Sequence, residues 1–161
     1  MFRAALVAFL LVVSAHAETL SGRVVGITDG DTLTVLDANH QQHKIRLAGI
    51  DAPEHDQAFG ERAKHNLAAL AFNKDVAVNW RKVHRKRLIG RVVADGVDVS
   101  LEQVKAGMAW WYEKYRKEQS ALDRRLYGQA EHDAKTHRVG LWSDPDPIPP
   151  WEWRHRHKTP G

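Results

Sequence analysis

Two short acidic groups carry the chemistry this chain could do. Asp29-Gly30-Asp31-Thr32 opens one β-branched run, and Asp51-Ala52-Pro53-Glu54 follows another. Either alone reads as a turn, because Asp-Gly is a hairpin signal and Asp-x-x-Glu ahead of a helix suits a cap with an acid in the first turn. Together they say more, since gathered carboxylates repel one another unless a cation or basic side chains join them. A hard cation such as Ca²⁺ takes carboxylate, carbonyl and water oxygens, so Asp31, Asp51 and a loop carbonyl such as that of Ala52 could form an incomplete shell, open to water and substrate. The chain has no Cys and its histidines lie outside these groups, so a Zn²⁺ site is not indicated. Arg46, flanked by Ile45 and Leu47, is either a solvated strand cation or a phosphate ligand. Arg91 follows Gly90, after the basic run RKVHRKR from Arg81 to Arg87. That run is either a charged loop or an electrostatic collar for phosphates. Arginine suits a phosphate because its planar fork donates two parallel hydrogen bonds.

Strand-like text must hold the acids. SGRVVGI from Ser21, TLTVLD from Thr32 and HKIRLAGI from His43 alternate β-branched and polar residues, with turns at Asp29-Gly30 and at Asp37-Ala38-Asn39-His40, which predicts a three-stranded antiparallel meander. Its register brings the start of the second strand close to the end of the third. Phe59, Ala63, Leu67, Leu70 and Ala71 predict an amphipathic helix over 57–72 that closes one end of the sheet. Strand patterning resumes over 76–83 and 90–94, and Asp95-Gly96 turns into Val97-Asp98-Val99. Ser100 and Gln103 read as a capping box for a short helix ending at Gly107. Leu122, Leu126, Ala130 and Ala134 mark the apolar stripe of a last helix over 119–137. Residues 144–161, rich in Pro, Trp and basic residues, predict a tail without regular structure, with Trp151 and Trp153 as candidate anchors. The string of five strands with a helix after the third suits an OB-type barrel, in an α+β chain that is mainly β; other α+β sheets share that string.

Residues 1–17, MFRAALVAFLLVVSAHA, have one early Arg3, an apolar stretch and small residues before Ala17. They predict a secretory signal peptide cleaved after Ala17, hence an exported, periplasmic or extracellular protein with no membrane segment after cleavage. What remains, 144 residues of formal charge +3, suits one domain with a single core. The absence of cysteine excludes disulfide staples and thiol chemistry. A modest positive charge is compatible with a polyanionic partner without establishing one.

With these residues in view, the chain from about Ser21 to Ser143 resembles the staphylococcal nuclease (thermonuclease) family. The shared pieces are DGDT at 29–32, IRLAGIDAPE at 45–54, FG at 59–60, GR at 90–91 and GLW at 140–142. The resemblance implies a five-stranded OB barrel with three helices, over 18–143, and a Ca²⁺-dependent phosphodiesterase that hydrolyses DNA and RNA to leave 3′-phosphate ends. It implies Asp31, Asp51 and the Ala52 carbonyl as metal ligands, Asp29 as a supporting acid near the metal, and Arg46, Glu54 and Arg91 as the catalytic set. Tyr112, Tyr115 and Arg87 are candidate substrate contacts. The chain departs from the family's Asp-x-Tyr-Gly-Arg, having Arg87-Leu88-Ile89-Gly90-Arg91, which puts nucleotide grip in doubt. A monomer is the default. A non-catalytic OB-fold module that binds nucleic acid, and a Ca²⁺-stabilised structural domain, are the rival readings.

Overall fold

The alternation of β-branched and polar residues becomes three antiparallel strands, as expected. In the computed structural model, which describes residues 18–157, β1 (Glu18–Asp29), β2 (Thr32–Leu36) and β3 (Gln42–Leu47) form the meander. Val24, Leu33, Val35, Ile45 and Leu47 point inward and are buried, and the intervening polar residues face out. The chain returns through β5 (Asp75–His84) and β6 (Arg87–Ala94). The strand order is β3-β2-β1-β5-β6, and β6 also pairs in parallel with β3 through Ile45–Leu88, Arg46–Ile89 and Leu47–Gly90. That last pairing closes a five-stranded barrel of the OB type and removes the sheet edges. Residues 1–17, expected to be a signal segment, lie outside the described residues.

Helix α1 (Gly60–Ala71) lays Ala63, Leu67 and Ala71 on the barrel mouth, where they join the core of Val24, Leu33, Ile45 and Val78. It starts three residues later than predicted, because residues 54–60 form turns in which Gln57 N–H donates to Glu54 O and Gly60 N–H to Gln57 O. Two-residue strands β4 (Ile50–Asp51) and β8 (Trp110–Trp111) pair antiparallel. The sequence pattern gave no sign of β8, whose partner is sixty residues away in sequence. β7 (Val97–Asp98) extends the sheet beside β6.

Four expectations need correction. The basic run 81–87 is no loop: β5 runs through it to His84, and Arg85 and Lys86, both with left-handed φ, make a tight turn into β6. Helix α2 (Val99–Lys105) is capped by Asp98, whose carboxylate accepts from Ser100 N and Leu101 N; Ser100 therefore lies inside the helix and is not its cap. Helix α3 (Ala121–Thr136) buries Tyr127, Ala130, Glu131 and Ala134, whereas Leu122 and Leu126 stay exposed. The spacing of four was right for a helix but drifts around its axis, since the helical period is 3.6. The last correction concerns the tail. After the 3₁₀ turn Gly140–Ser143, residues Pro150–Arg156 form helix α4. Pro150 at its first position needs no N–H, Glu152 sits in its first turn and Arg154, His155 and Arg156 in its last, a charge order that matches the helix dipole. Trp151 stacks on Tyr112 and meets Trp110 edge-on, so the expected anchoring of this segment is present.

Candidate active site

The hairpin between β1 and β2 presents the first acid. Asp29 Oδ1 accepts from Asp31 N at 3.0 Å, which fixes a short side-chain turn around Gly30. A Cβ on Gly30 would lie 2.6 Å from Ala63 Cβ and 2.7 Å from Ala52 Cβ, so glycine here is demanded by the close approach of α1 and the second acidic group. Gln103, wholly buried on α2, donates from Nε2 to Gly30 O at 2.7 Å and to Ala63 O at 3.0 Å. The turn is thus held from beneath by a side chain the sequence reading assigned to a cap.

Pairing of Thr32 with Arg46, and Leu47 N–H donating to Asp31 O, bring the start of β2 beside the end of β3. Asp31 Oδ2 accepts from Ala52 N at 2.7 Å. Arg46 joins the two acids: its Nη1 lies 3.1 Å from Asp31 Oδ2 and its Nη2 lies 2.9 Å from Asp51 Oδ1. Its Nη1 also donates to the carbonyls of Leu47 and Ile50, so its fork is fixed. Asp31 and Asp51 are 5 % and 1 % exposed. Burial pushes the Asp31 carboxyl up to about 7, opposed by Arg46 and reinforced by the negative charges of Asp29 and Asp51. Burial, more than neighbouring charge, therefore makes the ionised form of Asp31 costly, and an added cation would favour it.

Asp29, Asp31, Arg46, Asp51, Ala52, Glu54, Arg87, Tyr112 and Tyr115 all border one open pocket of about 510 Å³. Ile89, opposite Arg46, borders it too. Glu54 is half-buried. Its loop is packed so tightly beneath α1 that a Cβ on Gly60 would strike the Glu54 carbonyl. Tyr112 meets Tyr115 edge-on at 5.0 Å, with Tyr115 half-exposed under Lys82.

Arg91 is not brought to this pocket. Its Nε pairs with Asp98 Oδ2 at 2.9 Å and its Nη1 with Asp123 Oδ1 at 3.5 Å, in a network completed by the buried Tyr127 hydroxyl, which donates to Asp98. Arg87 and Arg91 share the outer side of β6, but four residues at about 3.3 Å each set their Cα atoms about 13 Å apart. The Gly-Arg pair that resembled the family motif is thus displaced along the strand, and Arg87 is the β6 guanidinium that borders the pocket. A second cation was missed altogether. Arg154, on α4, places Nη2 2.7 Å from Asp51 Oδ2 and Nη1 2.6 Å from Glu54 Oε1.

Among the described residues no three His, Cys, Asp or Glu side chains converge as a metal cage. A cation would be held by two carboxylates, Asp31 and Asp51, and the Ala52 carbonyl. That all-oxygen set fits a hard divalent ion whose remaining positions water fills.

Comparison with known proteins identifies the family. The family described as "Staphylococcal nuclease homologue" matches residues 44–144. A micrococcal nuclease of Shigella flexneri is 42% identical over 168 residues, spanning 98% of this chain and 94% of its own. An uncharacterized endonuclease of Haemophilus influenzae is 38% identical over 154 residues, spanning 95% of this chain and 83% of its own. Another from Escherichia coli O157:H7 is 38% identical over 153 residues, spanning 94% and 95%.

Proposed function

The chain belongs to the staphylococcal nuclease family, and from that premise we propose that it is an exported, Ca²⁺-dependent phosphodiesterase that cleaves DNA and RNA and leaves 3′-phosphate ends. The observation that carries this reading is the joining of Asp31 and Asp51 through one fixed guanidinium, Arg46, with Glu54 and Arg87 bordering the same pocket. A module that only binds strands gains nothing from buried carboxylates facing a polyanion.

Hydrolysis of a phosphodiester needs an attacking water, a place for its proton, and donors where charge builds on the phosphoryl oxygens. Asp31, Asp51 and the Ala52 carbonyl would hold Ca²⁺, which would supply Lewis-acid polarisation of a phosphoryl oxygen. Arg46 and Arg87 donate to the phosphoryl oxygens as negative charge accumulates; each such donor, when removed, commonly costs on the order of 10²-fold or more in rate. Arg46 is pre-set for this by its carbonyl and carboxylate partners, which fix the plane of its fork at the pocket. Glu54 accepts the proton of the attacking water. Asp29 holds the Asp31 turn by its backbone contact, which supports its assignment as an accessory acid. Tyr115 offers a ring face to a nucleobase, and Tyr112 steadies it from the side. The leader at residues 1–17 supports export to a periplasm or beyond.

The test is cleavage of single-stranded DNA and of RNA by the purified protein in millimolar Ca²⁺ and in excess chelator. Cleavage is expected only with Ca²⁺, and Glu54→Gln and Arg87→Ala are each expected to suppress it. Undiminished cleavage in chelator, or by the two variants combined, overturns the assignment.

A further inference from the structure

Helix α4 lies beyond the segment that matches the family, yet it delivers a side chain to the centre of the pocket. Arg154 Nη2 meets Asp51 Oδ2 at 2.7 Å, while Nη1 reaches both Glu54 Oε1 at 2.6 Å and Asp51 Oδ1 at 3.2 Å. One planar fork therefore spans two carboxylates to which the proposed mechanism gives different tasks. The Glu54 backbone is already fixed, its N–H donating to Gln57 Oε1 and its carbonyl accepting from Gln57 N. Its carboxylate is another matter: its side chain is about one-third exposed, and among the described residues Arg154 is the one side chain hydrogen-bonded to it. Without that partner several rotamers lead the carboxylate into solvent.

The base of Arg154 is itself tied to the loop that carries Glu54. Gln57 Nε2 donates to Ile148 O at 2.6 Å just ahead of α4, Trp153 Nε1 donates to Asp56 Oδ1 at 3.4 Å, and Trp151 stacks on Tyr112 with ring centroids 5.2 Å apart. Residues 53–57 and α4 are in this way one packed unit, anchored on the aromatic wall of the pocket. Asp51 has a second cationic partner, since Arg46 holds its Oδ1. What Arg154 adds is a fixed separation between Asp51 and Glu54.

We propose that Arg154 is a positioning residue for phosphodiester hydrolysis: it aims the Glu54 carboxylate at the attacking water by bridging it to Asp51. This rests on the nuclease reading above. A near-attack geometry is sensitive to displacements of about 1 Å, and loss of residues that orient a metal site's ligands typically costs about 10–100-fold.

The experiment is a double-mutant cycle with Arg154→Ala, Glu54→Gln and the pair, each read by single-turnover cleavage at saturating Ca²⁺ and by thermal unfolding in chelator. Arg154→Ala is expected to lower the cleavage rate about 10–100-fold with KM changed only a few-fold, and to lower it no further when Glu54 is already Gln. Millimolar guanidinium is expected to restore part of the Arg154→Ala rate and none of the pair's, a rescue that a merely structural role does not predict. Losses that multiply in full, with intact melting curves, overturn the proposal, because Arg154 then acts independently of Glu54. An Arg154→Ala protein that binds Ca²⁺ more tightly by calorimetry and cleaves faster than the parent overturns it too, and makes the arginine a competitor of the metal. If the parent itself cleaves nothing, the nuclease reading fails and takes this inference with it.

Discussion

Replacing Asp31 by Asn is expected to stabilise the metal-free protein while abolishing its activity. Burial raises the Asp31 carboxyl from the ordinary 3.8 to about 7. An acid whose pKa is higher in the folded than in the unfolded chain binds more protons when folded at pH values between the two. Stability therefore falls as pH rises from about 4 to about 7 and stays low above that. A shift of about three units is worth at most about 4 kcal/mol. Asparagine also gives up the attraction of Arg46, so about half of that, or about 2 kcal/mol, is the expected gain at pH 7.5. For a domain of this size such a gain raises Tm by about 4–8 °C. The assay is thermal unfolding of both proteins in chelator from pH 4.5 to 8. The parent's melting temperature should fall relative to the variant's across that window, and the difference should level off above about pH 7. Adding Ca²⁺ reverses the order, because only the parent gains binding free energy. An Asp31→Asn protein that melts at or below the parent at pH 7.5 in chelator would refute the reasoning.

Arg87→Ala is expected to lose about 10²-fold or more in cleavage rate with little change in melting, whereas Arg91→Ala keeps activity within a few-fold and melts lower because Asp98 and Asp123 lose their partner; paired rate and melting measurements check both. Gln103→Leu leaves Gly30 O and Ala63 O without their buried donor, so it should cost about 2–3 kcal/mol in stability and weaken Ca²⁺ binding measured by calorimetry. On α3, Leu126→Lys should shift stability by no more than about 0.5 kcal/mol and Ala130→Lys by several-fold more, a contrast that denaturant melts read directly and that the predicted stripe would not give.

The strands and turns were legible because their signals are local. A period of two in β-branched residues marks strands, Asp-Gly and Asp-Ala-Asn-His mark turns, and these alone place Asp31 near Asp51. What escaped depends on contacts distant in sequence. Arg87 and Arg91 have the same parity on β6, so alternation cannot separate them; the parallel pairing with β3, which ends at Gly90, decides which one borders the pocket. The exposed faces of Leu122 and Leu126 follow from where Tyr127 finds Asp98, again a tertiary fact. Arg154 acts on groups about a hundred residues away, and no spacing announces that. Helix α4 itself was within reach: Pro150 at the first position, an early acid and late bases form a helix signature, which the richness in proline concealed.

The central claim is that Asp31 and Asp51 hold the metal while Arg46 and Arg87 face the phosphate. It is tested most directly by a crystal structure with Ca²⁺ and a nucleoside 3′,5′-bisphosphate. The account predicts one Ca²⁺ on the two carboxylates and the Ala52 carbonyl, with a phosphate within hydrogen-bond reach of Arg46 and Arg87. An ion bound away from Asp31 and Asp51, or a phosphate held by Arg91, contradicts it.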